Sequence, residues 1–277
     1  MRRPLVASVV LVAVLVLAQA SLAVGPVLPA LMGASIGNAG SDVTYLVRHP
    51  AGGHTVVVER AHGHALRTTT IAGNYGLQMV AISGALAGLS PNGKVLVLSN
   101  NVNSTGRLRT QSRFAILDAK SLELQTTLTL RGEYSIDALS PDGTLLYLIH
   151  HLAAKDMTSY QVVAYDLGAG RVLPGVIADK TQAGWVMNGF PISRVTTTSG
   201  DWVYTFYQEN DNYPFVHALD TADHTAVCIG IPADWVKDES FISSARLSLA
   251  GDELVISSRD GVARYSVNTK TFRVSSR

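Results

Sequence analysis

Leu139-Ser140-Pro141-Asp142-Gly143-Thr144-Leu145-Leu146-Tyr147-Leu148-Ile149-His150 sets a tight-turn signal between an apolar run and a β-rich run. Proline presets φ, aspartate bonds its own backbone and glycine accepts positive φ, so the stretch reads as a hairpin. Weaker copies stand at Leu89-Ser90-Pro91-Asn92-Gly93-Lys94-Val95-Leu96-Val97, at Thr198-Ser199-Gly200-Asp201-Trp202-Val203-Tyr204 and at Leu247-Ser248-Leu249-Ala250-Gly251-Asp252-Glu253-Leu254-Val255. The four turn glycines recur at about 50-residue steps, the mark of stacked supersecondary units.

Each turn is followed by a second strand ending in Asp or Asn: Phe114 to Asp118, Val162 to Asp166, Val216 to Asp220 and Arg264 to Asn268. A fourth strand follows in each unit, at Leu122 to Leu130, Val172 to Ile177, Thr225 to Ile229 and Thr271 to Val274. Short antiparallel strands in fours at this period predict an all-β fold, a β-propeller of four-stranded antiparallel blades. Val43 to Val47, His54 to Arg60 and Leu66 to Ile71 supply a degenerate first blade, which brings the count to about five. The last segment, Thr271 to Val274, is placed to pair with an N-terminal strand and remove the open edges.

These repeats resemble the YVTN-type units of β-propellers, in which Ser-Pro-Asp-Gly precedes a Tyr-Val-Thr-Asn-like strand and then Val-x-Val-Ile-Asp. Val97-Leu98-Ser99-Asn100 and Tyr147-Leu148-Ile149-His150 keep the motif strand, whereas Tyr204 to Tyr207 and Val255 to Ser258 depart from it. The resemblance covers about Ala87 to Val274. It implies a propeller, mostly used as a noncatalytic ligand- or protein-binding scaffold, with a lactonase-like hydrolase acting in the central channel as the alternative.

Met1-Arg2-Arg3-Pro4 and the apolar run from Leu5 to Leu17 read as a secretory signal with cleavage after Ala20 or Ala23, so residues 1–23 are a signal peptide. Leu5 to Val24 is also just long enough to remain as a membrane anchor. Residues 24–41, poor in charge and rich in Gly, Pro and Ala, read as a flexible leader, and 42–277 as the propeller. The protein is expected outside the cytoplasm, secreted or anchored.

Of the residues 47% are hydrophobic and 16% charged, which suits a packed core and excludes a disordered chain. Losing Arg2 and Arg3 with the signal leaves the rest close to neutral. That composition argues against nucleic acid or an anionic membrane surface as a partner, and membrane contact is expected only through an uncleaved N-terminus. The expected partner is a protein, peptide or carbohydrate.

No Gly-x-Ser-x-Gly elbow, His-Glu-x-x-His pair or glycine-rich phosphate loop occurs, so no catalytic residue and no cofactor is assigned. Cys228, the single cysteine, lies in an apolar strand and reads as a buried small hydrophobe. Asn103-Ser104-Thr105 is formally a glycosylation acceptor. The pairs His150-His151 and His62-Gly63-His64 do not converge as metal ligands, because adjacent strand residues face opposite ways and Gly63 marks a turn.

Candidate binding residues remain. The loops opposite the Ser-Pro-Asp-Gly turns are the long ones, and they carry Arg107, Arg109 and Arg113, the acidic pair Glu209 and Asp211, His150, and the aromatic surfaces Trp185 and Trp235. Six residues before the turn glycines stand Ala87, Asp137, Arg194 and Ala245, equivalent places on inner strands. Asp137 and Arg194 should therefore face one another across neighbouring blades, as a structural ion pair or as the floor of a ligand pocket, and Arg246 adjoins the next such place.

Overall fold

The computed structural model describes residues 27–50, 52–100, 108–153, 156–179, 181, 187–209, 214–232 and 239–277. Its first strand, β1 (Ala30–Leu31), precedes a four-stranded sheet made of β2 (Ser35–Ile36), β3 (Val43–Arg48), β4 (His54–Ala61) and β5 (His64–Ala72). β6 (Leu77–Met79) and β7 (Leu86–Ala87) then join β1 in a small sheet, and β8 (Val95–Ser99), β9 (Gln111–Asp118) and β10 (Leu124–Arg131) form another of three strands. Three four-stranded meanders complete the chain. They are β11 (Glu133–Leu139) to β14 (Arg171–Val172) through β12 (Leu145–Ala153) and β13 (Asp156–Asp166); β15 (Phe190–Thr196), β16 (Trp202–Gln208), β17 (Phe215–Asp220) and β18 (Thr225–Gly230); and β19 (Arg246–Ala250), β20 (Glu253–Ser257), β21 (Ala263–Asn268) and β22 (Val274–Ser276), entered by the short helix α1 (Glu239–Ser244).

The sheet β8 to β10 is a blade whose inner strand is interrupted. Gly76 pairs with Ser99 and Leu89 with Leu96, on either side of the β6–β7 excursion. The tip of that excursion crosses to the fourth blade, where the amides of Ile82 and Ser83 donate to the carbonyls of Pro191 and Ile192. The sheets follow one another in chain order as blades, and the small sheet reaches from the second blade to the fourth. Buried apolar clusters fill the seams between successive blades: Tyr45, Val57, Leu96 and Leu98 between the first two, Phe114, Ile136 and Leu148 between the next, Tyr147, Tyr160 and Leu219 between the third and fourth, and Phe206, Leu254 and Ile256 between the last two. Alternation along each strand sends successive side chains into the two seams that flank it.

The repeat chemistry is explicit. In the central turn the Ser140 hydroxyl donates to the Asp142 carboxylate at 2.6 Å and accepts from the Leu145 amide at 2.9 Å, while Gly143 holds φ 76°. Ser90, Asn92 and Val95 repeat this arrangement, and Thr197 with Trp202 repeats its hydroxyl half. After the first blade, an Asx side chain at the end of the third strand caps the next turn: Asp118 accepts from Ser121, Asp166 from Gly168 and Ala169, Asp220 from Ala222 and Asp223, and Asn268 from Lys270 and Thr271. These caps explain why the Asp or Asn recurs in sequence.

Two expectations need correction. Residues 27–41 are not a leader: β1 and β2 lie there, Ala30 is buried, and β2 is the inner strand of the first blade. Gly37 is required by its close approach to β3, for a Cβ there would stand 2.7 Å from the Val43 carbonyl oxygen. The C-terminal segment does not close the ring with an N-terminal strand either, because β22 pairs with β21 inside its own blade. Residues 1–26, with the signal and its cleavage sites, lie outside the described residues, as do Asn103 to Thr105.

Candidate functional site

β15 to β18 run in unbroken register over one row, in which Arg194, Thr205, His217 and Cys228 are successive cross-strand partners. Direct partners share a sheet face, so this row lies on the side of the fourth blade that meets the third. Opposite it the ladder skips Asp137 between Ile136 and Ala138, a bulge that re-aims its side chain. Arg194 Nη1 donates to Asp137 Oδ1 at 2.6 Å, with both side chains about 5% exposed or less. The ion pair expected from equal offsets to the turn glycines is present.

Further out the same seam is polar in a way that sequence reading missed. Tyr160 packs between His151 and Tyr207, with ring centroids 5.8 and 5.9 Å away, and Tyr207 meets His217 edge-on. His217 Nδ1 lies 3.7 Å from Cys228 Sγ, and the Cys228 amide donates to Asp179 Oδ2 at 3.0 Å. Asp179 also accepts from the amide and hydroxyl of Thr181. His217 Nε2 and the Tyr160 hydroxyl have no partner of good geometry among the described residues.

A thiol, an imidazole and a carboxylate in line resemble a nucleophilic triad, yet the electrostatics run the other way. Desolvation, aided by Asp179 and Glu209, pushes the thiol up to about 12. Desolvation pulls the imidazole down to about 4, despite Asp137 and Asp179, with Arg194 adding to the fall. Both groups are neutral near pH 7, whereas a catalytic cysteine needs a stabilised thiolate. The two tyrosines are likewise raised by burial. No cluster of three or more His, Cys, Asp or Glu suited to a metal occurs among the described residues.

The inner end of the row faces a central cavity of about 210 Å³. Asp137 and Arg194 line it together with Gly37, Asn38, Gly88, Pro91 and Thr196 to Thr198. These belong to the side carrying the Ser-Pro-Asp-Gly turns, and Ala39 and Thr198 there are exposed. On the opposite side, which loop length had favoured as the binding face, the β6–β7 excursion crosses the channel, with Val80 and Ala81 buried.

The other sequence candidates are not gathered there. His150 stacks on Tyr134, its cross-strand partner, at 4.2 Å and 5°, and burial lowers its pKa. His151 faces the other seam, so the histidine pair diverges as expected. Arg109 is committed to Glu133, gripping its carboxylate through Nε at 2.9 and 3.0 Å and through its own amide at 2.7 Å. Arg113 bonds Gln111, and Arg246 folds back on the Ser244 and Ala245 carbonyls. Arg107, Trp185, Asp211 and Trp235 lie outside the described residues.

Radial antiparallel sheets about a channel define a β-propeller. No protein-family model matches the chain, and no curated protein matches it. Among solved structures it is similar to a prolyl endopeptidase, with TM-score 0.52 and 12% identity over 87% of this chain and 34% of that one. It is also similar to the β-propeller domain of Cps50 (Swd1) from Myceliophteria thermophila (TM-score 0.46, 15% identity, 90% and 70% covered) and to TolB from Acinetobacter baumannii (0.44, 16%, 89% and 56%). The chain thus spans about half of the TolB structure and a third of the endopeptidase. At such identities the likeness concerns architecture alone.

Proposed function

We propose that the protein is an exported, noncatalytic propeller of the YVTN-like kind that binds a small polar ligand in its channel, on the turn side. The observation that carries this reading is the buried Asp137–Arg194 pair lining the cavity. A guanidinium has five N–H donors and a carboxylate several acceptor sites, and the direct contact between them uses one of each. The pair is neutral as a unit, so it suits a neutral molecule with hydroxyl or amide groups, and the cavity has room for about seven waters or one small ring. Export rests on the charged start, apolar run and small-residue cleavage sites of residues 1–23.

A hydrolase is the second reading, favoured by the Cys228–His217 contact. Neutral thiol beside neutral imidazole weighs against it, and neither residue lines the cavity.

A thermal-stabilisation screen of monosaccharides, polyols and short peptides on the mature protein tests the binding role. A ligand at a hundred times its Kd adds about 2.7 kcal/mol, and Asp137→Asn should remove that gain when each protein is compared with its own unliganded melting temperature, which Asp137→Asn itself lowers. A ligand effect untouched by Asp137→Asn, or by Thr198→Trp at the mouth, would place the site elsewhere. N-terminal sequencing of material from outside the cytoplasm tests export: a start at Ser21 or Val24 shows cleavage, and Met1 in the membrane fraction shows an anchor.

A further inference from the structure

The ion pair in the channel is only half used, and its unused half has a fixed polarity. Among the described residues Arg194 donates through Nη1 to Asp137 Oδ1 at 2.6 Å and to nothing else, which leaves Nε and Nη2 free. Asp137 Oδ2 accepts from no described group. Both side chains are about 5% exposed or less, yet these atoms keep contact with accessible space, unlike the sealed His217 Nε2 and Tyr160 hydroxyl further out in the seam. The space that the pair lines is the central cavity. Neither group can change its role there, because a guanidinium only donates and a carboxylate only accepts. A ligand must therefore offer an acceptor to Arg194 and, beside it, a donor to Asp137, or it leaves a desolvated charge unmatched.

The remaining lining sets the rest of the ligand. Ile36, Leu86 and Leu89 from the first two blades and Ala138, Leu139 and Val203 from the next two supply apolar walls. Asn38 Nδ2 is spent on the carbonyls of Ser90 and Pro91, and Thr197 Oγ1 accepts from the Trp202 amide. Thr196 and Thr198 are exposed. A sugar carries hydroxyls round its whole perimeter and would bury several of them against carbon. The cavity asks instead for one polar edge on an apolar body.

We infer that the ligand is a cyclic amide, of the class of lactams, cyclic ureides and cyclic dipeptides, with its carbonyl toward Arg194 and its N–H toward Asp137. The inference rests on the channel-binding reading and narrows it. An open peptide bond is trans, so its N–H and C=O leave opposite edges, and the cis form is rare. Ring closure holds both groups on one edge, and a six-membered ring suits a cavity of about 210 Å³. A lactone of the same size keeps the carbonyl but sets an oxygen with no proton against the carboxylate.

The test is calorimetric titration of the protein with four probes of one ring size: δ-valerolactam, its N-methyl derivative, freshly dissolved δ-valerolactone and cyclohexanone. Pairing of both groups predicts that the lactam binds about ten- to a hundredfold more tightly than each of the others. Asp137→Asn supplies a second readout. Its Oδ1 stays on Arg194, so the free atom becomes Nδ2, a donor, and the preference should invert toward the lactone and the ketone. A merely supporting role for the pair would not produce that inversion. Equal affinity of the unsubstituted protein for lactam and lactone, or for lactam and N-methyl lactam, would overturn the inference even if the variant fails to fold. A lactam preference left intact by Asp137→Asn would overturn it as well. myo-Inositol separates this inference from the reading beneath it: inositol displacing the lactam from the channel would remove the cyclic amide and keep the channel site, whereas no binding by any probe, inositol included, would remove both.

Discussion

The seam between the first and second blades and the seam between the third and fourth solve one packing problem with different chemistry. The first is filled by Tyr45, Val47, Val57, Leu77, Leu96, Leu98 and Leu117, apolar and interdigitated. The other has an apolar floor of Tyr147, Val162 and Leu219, but through its middle runs a polar row from the Asp137–Arg194 pair through His217 to Cys228 and Asp179. An apolar seam asks only for volume and alternation, and so tolerates drift in the repeats. A polar seam must keep its partners, because a desolvated charge or imidazole left alone costs more than a lost methyl group.

The largest expected effect follows from this contrast. Asp137→Ala strands a buried guanidinium and should destabilise the protein by about 3–5 kcal/mol, measured by urea denaturation. Leu98→Ala in the apolar seam should cost about 2–5 kcal/mol through the cavity it leaves. The two part company in rescue. The double variant Asp137→Leu, Arg194→Met should recover most of the loss, whereas no second truncation restores the Leu98 site. A double variant as unstable as Asp137→Ala would mean that the pair itself, and not the stranding of its partner, supports the seam.

The next effect is a pH dependence confined to the polar seam. His217 titrates near 4 when folded against about 6.5 when unfolded. The unfolded chain therefore takes up the proton first as pH falls, so the stability associated with neutral His217 is complete above about pH 6.5, declines between 6.5 and 4, and is lost below. The span corresponds to about 3 kcal/mol at most. His150, also lowered by burial, adds to the slope in the same direction. Asp179, whose carboxyl is held low by its hydrogen bonds with Thr181 and Cys228 against the opposing pull of burial, contributes the same sign only below the carboxylate range. His217→Phe should flatten the window between pH 6.5 and 4, and an unchanged slope would assign it to another group.

How far the sequence disclosed these two seams depends on the range over which their residues are set. The blade pattern, the turns and the Asx-terminated strands are local, since each is written in a few consecutive residues and repeated. The Asp137–Arg194 contact was also legible, because the two positions share an offset from their turn glycines and the repeat converts that offset into proximity. The His217–Cys228–Asp179 line was not. Its members come from the third and fourth strands and from a connection between blades, where lengths differ from unit to unit and no common offset exists. The leader was misread for a related reason. Small uncharged residues are a signature of flexible chain and equally of a short inner strand that hydrogen-bonds to its neighbour, and the pairing of β2 with β3 and the close approach of Gly37 to Val43 appear only in the folded chain.

The smallest effects are expected at the turn face, where the seams meet, and they are graded. Gly143, Gly200 and Gly251 hold φ of 76°, 81° and 61°, so alanine at any of them pays the left-handed strain of about 1–2 kcal/mol. Surroundings then separate them. A Cβ at Gly200 would stand 2.1 Å from Pro91 Cγ, pressing the turn of the fourth blade against that of the second, and backbone must move. At Gly143 the nearest atoms are Val95 Cγ2 at 3.1 Å and Ser90 Cβ at 3.2 Å, a contact that a few tenths of an ångström relieves. At Gly251 nothing lies within 4 Å, so strain stands alone. Thermal unfolding of the three alanine variants should therefore rank Gly200 above Gly143 above Gly251, with the last near 1 kcal/mol. Equal losses would show that the backbone conformation alone matters at these turns. A reversed order would mean that the fourth blade does not lean on Pro91, and that the polar seam beneath it is held by the Asp137–Arg194 pair without help from the turns.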